Sequence, residues 1–138
     1  MRALIKAFAR FHALVYRLSR GRLLARLSGN DMLLLTTTGR KSGKPRTLPL
    51  LFVKDGDRYV VVASFGGAPR HPAWYLNLVS NPAVAVQVRS RKILARAETA
   101  GPEDRARLWP QVVAAYAAYD EYQKRTTREI PLVLLMED

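Results

Sequence analysis

Residues 33–46 read LLLTTTGRKSGKPR, an apolar and β-branched run that ends at Gly39 and continues into a basic stretch. Leucine and threonine side chains suit a pleated strand with one buried face. The following glycines, serine and proline favour a turn, and this turn carries four cations within seven residues. Small residues let backbone N–H groups approach a ligand, and guanidinium and ammonium groups attract phosphate or carboxylate. The stretch therefore predicts a strand followed by an anion-binding loop. A solvated basic turn is the alternative, because no Walker or Rossmann glycine pattern is present.

Positive charge is concentrated in the first 100 residues. The 138-residue chain has a formal net charge of +12, and Lys and Arg exceed Asp and Glu by 14 across residues 1–100. An anionic partner such as a phosphate, a polycarboxylate or a lipid headgroup is therefore expected in this part of the chain. The length predicts one main domain, and the lack of cysteine excludes disulfides and fits a cytoplasmic location. No metal site is predicted.

Residues 1–28 are predicted to form a separate segment, a cationic amphipathic helix with seven Lys or Arg and no acid. Apolar side chains recur at steps of four and three, which lines one helical face. They are Leu4, Phe8, Phe11, Val15 and Leu18. Charges interrupt this run too often for a helix that spans a bilayer. Two interpretations stay open: peripheral contact with the anionic inner face of the cell membrane, or packing on the rest of the protein.

Residues 29–138 predict a mainly β, α+β domain with six strands. The apolar or alternating runs are 33–38, 47–53, 58–64, 83–89, 93–100 and 130–136. Residues 54–57 read KDGD, and an Asp-Gly pair between apolar runs is typical of a tight hairpin. Pro49 has no N–H group, which predicts a sheet edge or a bulge for the second strand. Hairpin connections favour an antiparallel sheet, and closure into a small barrel removes its exposed edges.

A loop and a short helix are predicted between the third and fourth strands. Residues 65–72 read FGGAPRHP, where two glycines and two prolines favour an irregular segment. Pro72 is suited to the first helical position, and the pair Asn81-Pro82 ends the helix. His71 has the chemistry of a general acid, but its place between Arg70 and Pro72 favours a solvent-facing turn residue.

The last helical region is predicted to start at Pro102, where two acids follow the proline. Pro110 either interrupts this helix or begins another. From residue 112 to about residue 124 the pattern is helical and spreads Tyr116, Tyr119 and Tyr122 over roughly a 120° arc. The three phenols are candidates for binding a ligand, and ordinary core packing is the alternative.

Five stretches together resemble the family of deazaflavin-dependent nitroreductases and quinone reductases. They read TTTGRKSGKPRTLPLLF, KDGD, VVVASFGGAPRHPAWYLNL, SNPAVAVQV and AYAAYDEYQKRTTREIPLVLL, and the match covers about residues 30–136 in register. The resemblance implies a split β-barrel similar to flavin-mononucleotide-binding oxidases. It also implies hydride transfer from reduced deazaflavin, coenzyme F-420, to a quinone or a nitroaromatic acceptor such as a nitroimidazole. Protein groups then bind, orient and supply a proton, since the redox chemistry belongs to the cofactor.

The resemblance also implies roles for individual residues. The anionic tail of the cofactor would be held by Arg40, Lys41, Ser42 and Arg46. The ribityl chain and the ring would be lined by Thr47, Leu48, Pro49, Val62, Ala63, Ser64 and Phe65. The groove would be closed by Ala73, Trp74, Tyr75 and Asn77, with Tyr119 beside the exposed ring. The implied catalytic residues around the acceptor are Tyr116, Tyr119, Tyr122 and Ser64, since a phenol can hydrogen-bond a quinone or nitro oxygen.

The chain departs from the family pattern after Ser64. Members often have SKGG there, whereas residues 64–67 read SFGG, so a phosphate contact is lost and an apolar surface is gained. Two other functions remain as alternatives: a flavin-mononucleotide-binding oxidoreductase of the same superfamily, or a non-catalytic basic module for a cofactor or lipid. Nucleic acid is not an expected partner, because aromatic residues are not interleaved with the basic runs.

Overall fold

Seven antiparallel strands form one sheet in residues 31–138, the part of the chain that the computed structural model describes. The strands are β1 (Met32–Thr38), β2 (Pro45–Leu51), β3 (Val53–Asp55), β4 (Arg58–Val62), β5 (Ala83–Val88), β6 (Arg91–Thr99) and β7 (Leu132–Glu137). Their order in the sheet is β2-β1-β5-β6-β7-β4-β3. The predicted antiparallel topology is confirmed. The helix predicted in residues 1–28 lies outside the described residues, and the division of the chain after residue 28 stays a prediction.

The two edge strands, β2 and β3, are joined by a single residue, Phe52. Opposite edges of the sheet therefore meet at this corner, and the sheet curls into a half-barrel. The backbone N–H of Phe52 donates to the carbonyl of Asp31 at 3.1 Å, and its ring lies edge-on to Tyr59 with 5.2 Å between centroids. The prediction of six strands was wrong by one, because this corner divides the run 47–53 in two.

Local turn and edge signals in the sequence are confirmed. Pro49 lies on the edge strand β2, and residues 54–57 turn the hairpin between β3 and β4. Gly56 has a φ of +59° in that hairpin, a conformation that glycine adopts without steric cost. The predicted hairpin between β5 and β6 is also present, with a turn at residues 89–90.

Three helices flank the sheet within the described residues: α1 (Ala73–Ser80), α2 (Pro102–Ala115) and α3 (Ala118–Lys124). The first begins directly after Pro72 and ends before Asn81, within one residue of its predicted bounds. Phe65–Gly67 forms a single 3-10 turn, so the prediction of a wholly irregular segment at 65–72 was wrong. This turn lies between the end of β4 and the start of α1.

The C-terminal helical region breaks at Tyr116 rather than at Pro110. The ring nitrogen of Pro110 cannot bond the carbonyl of Ala106, but both residues are exposed and water can satisfy that carbonyl. Tyr116 adopts an extended backbone with φ −150° and ψ 99°. The predicted continuous helix over 112–124 was therefore wrong, and the three tyrosines do not share one helical face.

Alternate side chains of β4 face two different apolar cores. Tyr59 and Val61 point into the half-barrel, whereas Val60 and Val62 point outward and pack against α2 and α3. The inner core is covered at one end by α1 through Trp74. The outer core lies beneath the tyrosines, so β4 connects the interior of the sheet to that region.

An ion-pair cluster ties α2 to the hairpin between β3 and β4. Arg107 donates to both carboxylate oxygens of Asp55, at 2.9 and 3.0 Å, and to Asp104 at 2.9 Å. Arg58 also pairs with Asp55. Hydrogen bonds from Arg107 and then Arg58 hold the pKa of the Asp55 carboxyl well below its usual value. The cluster fixes the position of α2 over the edge of the sheet.

Candidate functional site

The basic loop, residues 39–46, follows β1 and presents its cations to solvent. Its turn is closed by two backbone hydrogen bonds of 2.8 Å, from Gly39 N–H to the Lys44 carbonyl and from Gly43 N–H to the Gly39 carbonyl. All four cations are exposed: Arg40, Lys41, Lys44 and Arg46. No acidic side chain in residues 31–138 pairs with any of them. Their charge is therefore available to an anionic ligand.

Asn77 of α1 joins the basic loop to the end of β1. Its buried side-chain oxygen accepts from the backbone N–H of Arg40 at 3.1 Å, and its amide nitrogen donates to the hydroxyl of Thr37 at 3.2 Å. The resemblance implied a cofactor contact for Asn77, but both of its polar atoms are occupied within the protein. Asn77 therefore positions the loop, and its predicted contact with the cofactor stays a prediction, since a side-chain amide has a second N–H donor.

The cofactor residues predicted on β2 lie on both faces of this edge strand. Thr47 and Thr36 of β1 share a hydroxyl–hydroxyl hydrogen bond of 2.7 Å. Leu48 is half-buried and packs against the inner core, whereas Pro49 lies opposite Leu34 of β1. These residues continue directly from the basic loop, so the loop and β2 form one continuous surface.

The turn after β4 holds a strained residue. Phe65 is 36% exposed and has a φ of +46°, in the left-handed region that bulky residues rarely adopt. Such a conformation costs about 1–3 kcal/mol and persists only where its surroundings enforce it. Gly66 and Gly67 follow with φ of +63° and +80°. A Cβ on Gly67 would lie 2.5 Å from the carbonyl oxygen of Tyr122, so glycine is what lets α3 pack directly on the turn.

Arg128, in the segment between α3 and β7, was missed by the sequence analysis. Its guanidinium donates to the carbonyls of Ser64 at 2.7 Å, Ala68 at 2.8 Å and Ala63 at 3.2 Å. It also lies 3.0 Å from Nδ1 of His71. These partners lie 57 to 65 residues away in sequence, so no local pattern could have identified the contact.

His71 is half-buried, so the prediction of a solvent-facing turn residue was wrong. A guanidinium can only donate, so Nδ1 of His71 accepts from Arg128 and the ring proton lies on Nε2. Burial and then the charge of Arg128 lower the pKa of His71 below its ordinary value. The ring also lies 4.9 Å from that of Tyr75, whose hydroxyl bonds Thr99 at 2.8 Å. His71 is thus neutral near pH 7 and is not a ready source of a proton.

The tyrosine cluster consists of Tyr116, Tyr119 and Tyr122, which the break between α2 and α3 brings together. The ring of Tyr119 lies 5.0 Å from that of Tyr116 and 6.3 Å from that of Tyr122, and the hydroxyls of Tyr116 and Tyr122 are 3.3 Å apart. Burial, then the two neighbouring phenols, raise the pKa of Tyr119 far above its ordinary value. Its hydroxyl therefore keeps its proton and can donate it in a hydrogen bond.

A cavity of about 510 Å³ lies beside the tyrosine cluster. Its walls include Leu51, Val53, Val60 and Val62 from the sheet, with Tyr116 and Tyr119 from the helical side. Within residues 31–138 the hydroxyl of Tyr119 has no hydrogen-bond partner, and no fully buried polar side-chain atom there lacks one. The hydroxyl therefore keeps some accessible surface, and Tyr119 is part of the cavity wall. The lining also includes Asp31 and Lys54, so the cavity combines apolar side chains and phenols with two charged residues.

The predicted site residues fall into two groups. Val62, Tyr116 and Tyr119 line the cavity, while the turn that begins at Ser64 contacts α3 beside it. The basic loop and β2 form the other group. Helix α1 contacts this second group through Asn77. Two residues are less accessible than their predicted roles suggest: Ala63 is 0% exposed and Trp74 is buried in the inner core. Ala73 is exposed at the start of α1.

The described part of the chain has neither a membrane-spanning helix nor a cluster of metal ligands. None of the helices in residues 31–138 has the length and apolar composition needed to cross a bilayer. That same range contains no group of three or more His, Cys, Asp or Glu side chains arranged to hold a metal ion.

Most of the chain is similar in sequence to known proteins. Residues 8–137 match a family model described as F420H(2)-dependent quinone reductase. Over 131 residues the chain is 45% identical to the F420H(2)-dependent quinone reductase of Mycobacterium tuberculosis strain H37Rv, which covers 91% of this chain and 87% of that protein.

Solved structures share the fold. The structure of an F420-H2-dependent reductase, FDR-A, matches with a TM-score of 0.70 at 42% identity, over 76% of this chain and 93% of that one. An FAD-binding protein of Mesorhizobium loti matches with a TM-score of 0.52 over 81% and 82% of the two chains, at 16% identity. The second likeness concerns the fold alone, and it agrees with the predicted split β-barrel.

Proposed function

Because this chain belongs to the F420H(2)-dependent quinone reductase family, we propose that it reduces quinones with a hydride supplied by reduced deazaflavin. The family match and the 45% identity extend over most of the chain. The observation that carries the proposal within the structure is the hydroxyl of Tyr119, which keeps its proton and belongs to the wall of a cavity whose sheet side is formed mainly by leucine, phenylalanine and valine side chains. A quinone fits that chemistry, because it combines an apolar ring with oxygens that gain charge during reduction.

The residues present fit a cofactor that has an aromatic ring and an anionic tail. Arg40, Lys41 and Arg46 would hold the tail, since their charges have no acidic partner within the described residues. Asn77 would keep the loop at the end of β1 while it binds. β2 and the turn at residues 64–67 would flank the rest of the molecule. When bound, reduced deazaflavin supplies the hydride.

The tyrosine cluster would act on the acceptor. Tyr119 would donate to an acceptor oxygen as negative charge arrives there, which stabilises the transition state and orients the ring. Tyr116 and Tyr122 would shape the flanks of the acceptor site, since their hydroxyls lie within hydrogen-bond reach of each other. Ser64, half-buried at the end of β4, is the further candidate for a contact with the acceptor.

We extend the proposal to nitroaromatic acceptors, including nitroimidazoles. A nitro group also carries oxygens that gain charge on reduction, so the same phenol would serve it. The cavity volume of about 510 Å³ is within the usual range for small-molecule sites. The support is this shared chemistry together with the resemblance to nitroreductases.

We also propose that the protein works in the cytoplasm at the inner face of the cell membrane. The support comes from the sequence of residues 1–28, where apolar side chains recur at helical spacing and seven cations occur without an acid. Contact with an anionic membrane would bring the enzyme to lipid-soluble quinones. Deletion of residues 1–20 is expected to abolish sedimentation with anionic vesicles and to spare reduction of a water-soluble quinone.

The proposed activity is tested by mixing the protein anaerobically with reduced deazaflavin and menadione while recording the oxidation of the deazaflavin. We expect rapid oxidation that needs both the protein and the quinone. Controls without protein and without menadione measure the background rate. Oxidation no faster than background, or activity that requires flavin mononucleotide instead, contradicts the proposal.

A further inference from the structure

A single guanidinium organises the loop between β4 and α1. Arg128 reaches the carbonyls of Ala63, Ser64 and Ala68 and the ring nitrogen of His71 at 2.7 to 3.2 Å. An arginine side chain has five N–H donors in a planar fork, which suits several fixed acceptors at once. Arg128 is half-buried, and this burial lowers the pKa of its guanidinium. Arg128 is thus held by contacts at both ends of the loop.

The backbone that Arg128 holds contains a strained residue, Phe65, within a turn that also has two hydrogen bonds of its own, from Gly67 N–H to the Ser64 carbonyl at 2.9 Å and from Ala68 N–H to the Phe65 carbonyl at 3.1 Å. Ser64 is in the right-handed helical region, and Phe65 then turns to a positive φ of +46°. Because Arg128 takes the carbonyl of Ser64 at one side of Phe65 and that of Ala68 beyond it, the reversal of the chain is fixed at both ends. Loss of the Arg128 bonds is therefore expected to loosen the turn around Ser64 and Phe65, although its two backbone hydrogen bonds remain.

We propose that Arg128 is a positioning residue that preorganises the turn at residues 64–68 for deazaflavin, and that its contact fixes His71 as the neutral tautomer with its proton on Nε2. The first half rests on the function proposed above, and the second half does not. Arg128 itself need not touch cofactor or acceptor, because it acts through Ser64, Phe65 and His71.

Arg105 offers a matched control for this role. It also joins distant parts of the chain through its guanidinium, with bonds of 3.1 Å to the carbonyl of Ile130 and 3.0 Å to the side chain of Gln123. It bonds the same α3–β7 segment that carries Arg128 but has no contact with residues 63–71. A purely structural effect of removing a half-buried arginine should therefore be shared by both residues.

The tautomer is tested on the protein without any ligand. Long-range ¹H–¹⁵N spectra of the histidine rings at pH 7.5 distinguish a protonated Nε2 from a protonated Nδ1. The chain has two histidines, so the signal lost in His71→Asn assigns His71. We expect protonated Nε2 in the wild type and a mixture of tautomers in Arg128→Lys. Protonated Nδ1 in the wild type overturns the inference about His71.

The positioning role is tested by titrating reduced deazaflavin into wild type, Arg128→Lys and Arg105→Lys. A single ammonium cannot reach three carbonyls, so Arg128→Lys is expected to weaken binding on the order of tenfold and to change kcat at saturation less than about threefold. Arg105→Lys should lower the melting temperature without changing the dissociation constant. Equal affinity in wild type and Arg128→Lys, or equal weakening in both variants, overturns the positioning role.

Two further outcomes are decided in the same experiment. If Arg128→Lys does not fold, His71→Leu takes its place, since it removes one of the four acceptors of Arg128, and unchanged affinity in that variant overturns the role. If the wild type binds no deazaflavin, the proposed function fails and the positioning role fails with it. The ring spectra still report on the contact between Arg128 and His71 in that case.

Discussion

The basic loop and the tyrosine cluster are built in opposite ways. The loop takes its cations from eight consecutive residues, leaves them exposed and provides no acidic partner within the described residues. The tyrosine cluster buries Tyr119 to 8% exposure and depends on contacts with a turn more than 50 residues earlier in the chain. An anion site can therefore be local and solvated, whereas a phenol held in the wall of a cavity needs tertiary packing.

The basic loop and the tyrosine cluster would therefore serve different steps of the reaction. Exposed charge attracts and holds an anionic cofactor, so changes in the loop should alter affinity. A buried donor acts on a group that gains charge during reaction, so changes in the tyrosine cluster should alter rate. Four measurements test these assignments.

The largest effect is expected for the double variant Lys41→Ala with Arg46→Ala. Loss of two charge-assisted contacts should cost about 2–4 kcal/mol, which is roughly 30- to 1000-fold in the dissociation constant of deazaflavin, with little change in kcat at saturation. The control is Lys92→Ala with Arg96→Ala, which removes the same charge from two exposed positions on β6. Unchanged affinity in the first double variant would remove the loop from the cofactor site.

The next effect concerns the packing of α3 on the turn after β4. Gly67→Ala places a Cβ 2.5 Å from the carbonyl oxygen of Tyr122 at a φ of +80°, and we expect the free energy of unfolding to fall by about 2–3 kcal/mol. Gly66→Ala also has a positive φ but meets nothing within 4 Å, so it should cost only about 1 kcal/mol. Urea denaturation measures both. Equal losses would show that α3 does not depend on this close contact.

Tyr119→Phe tests the chemical side of the comparison. Removing the hydroxyl should slow acceptor reduction about tenfold to a hundredfold and leave the affinity for deazaflavin nearly intact. Stability should change little, by about 1 kcal/mol at most, because the ring still fills its place in the outer core. Tyr59→Phe is the control, because it removes a phenol hydroxyl from a residue of the inner core that has no assigned role in the site. Stopped-flow oxidation of deazaflavin under nitrogen gives the rates, and a parent rate in Tyr119→Phe with every acceptor would leave the phenol a packing role only.

The smallest effect concerns His71 and pH. Because the pKa of His71 is lowered from 6.5 in the folded protein, the unfolded chain binds a proton more readily as the pH falls through that value. His71 therefore contributes stability that is fully present above pH 6.5 and is lost as the pH falls below it. The unfolding free energy of the wild type should drop more between pH 7.5 and 5.5 than that of His71→Asn, measured with urea. Parallel losses in the two proteins would contradict the lowered pKa.

The features that depend only on neighbouring residues could be predicted from the sequence. The strand before Gly39, the hairpin at residues 54–57, the edge position of Pro49 and the short helix after Pro72 all follow from local backbone preferences, which act over a few residues. The cations of the basic loop were visible for the same reason. The resemblance to a family then supplied the type of cofactor and acceptor, and the family match and curated relatives agree with the deazaflavin and with a quinone as acceptor.

The features that join distant segments could not be predicted from the sequence, because they depend on tertiary structure. Pro110 continues a helix because its side of α2 faces water, and the helix breaks instead at Tyr116, where α3 turns to pack on Gly67. Asn77 and Arg128 have roles that no local pattern shows, since their partners lie 37 to 65 residues away. The helix break and these side-chain contacts satisfy buried polar groups or allow close packing across the fold. Such contacts exist only once the strands have paired.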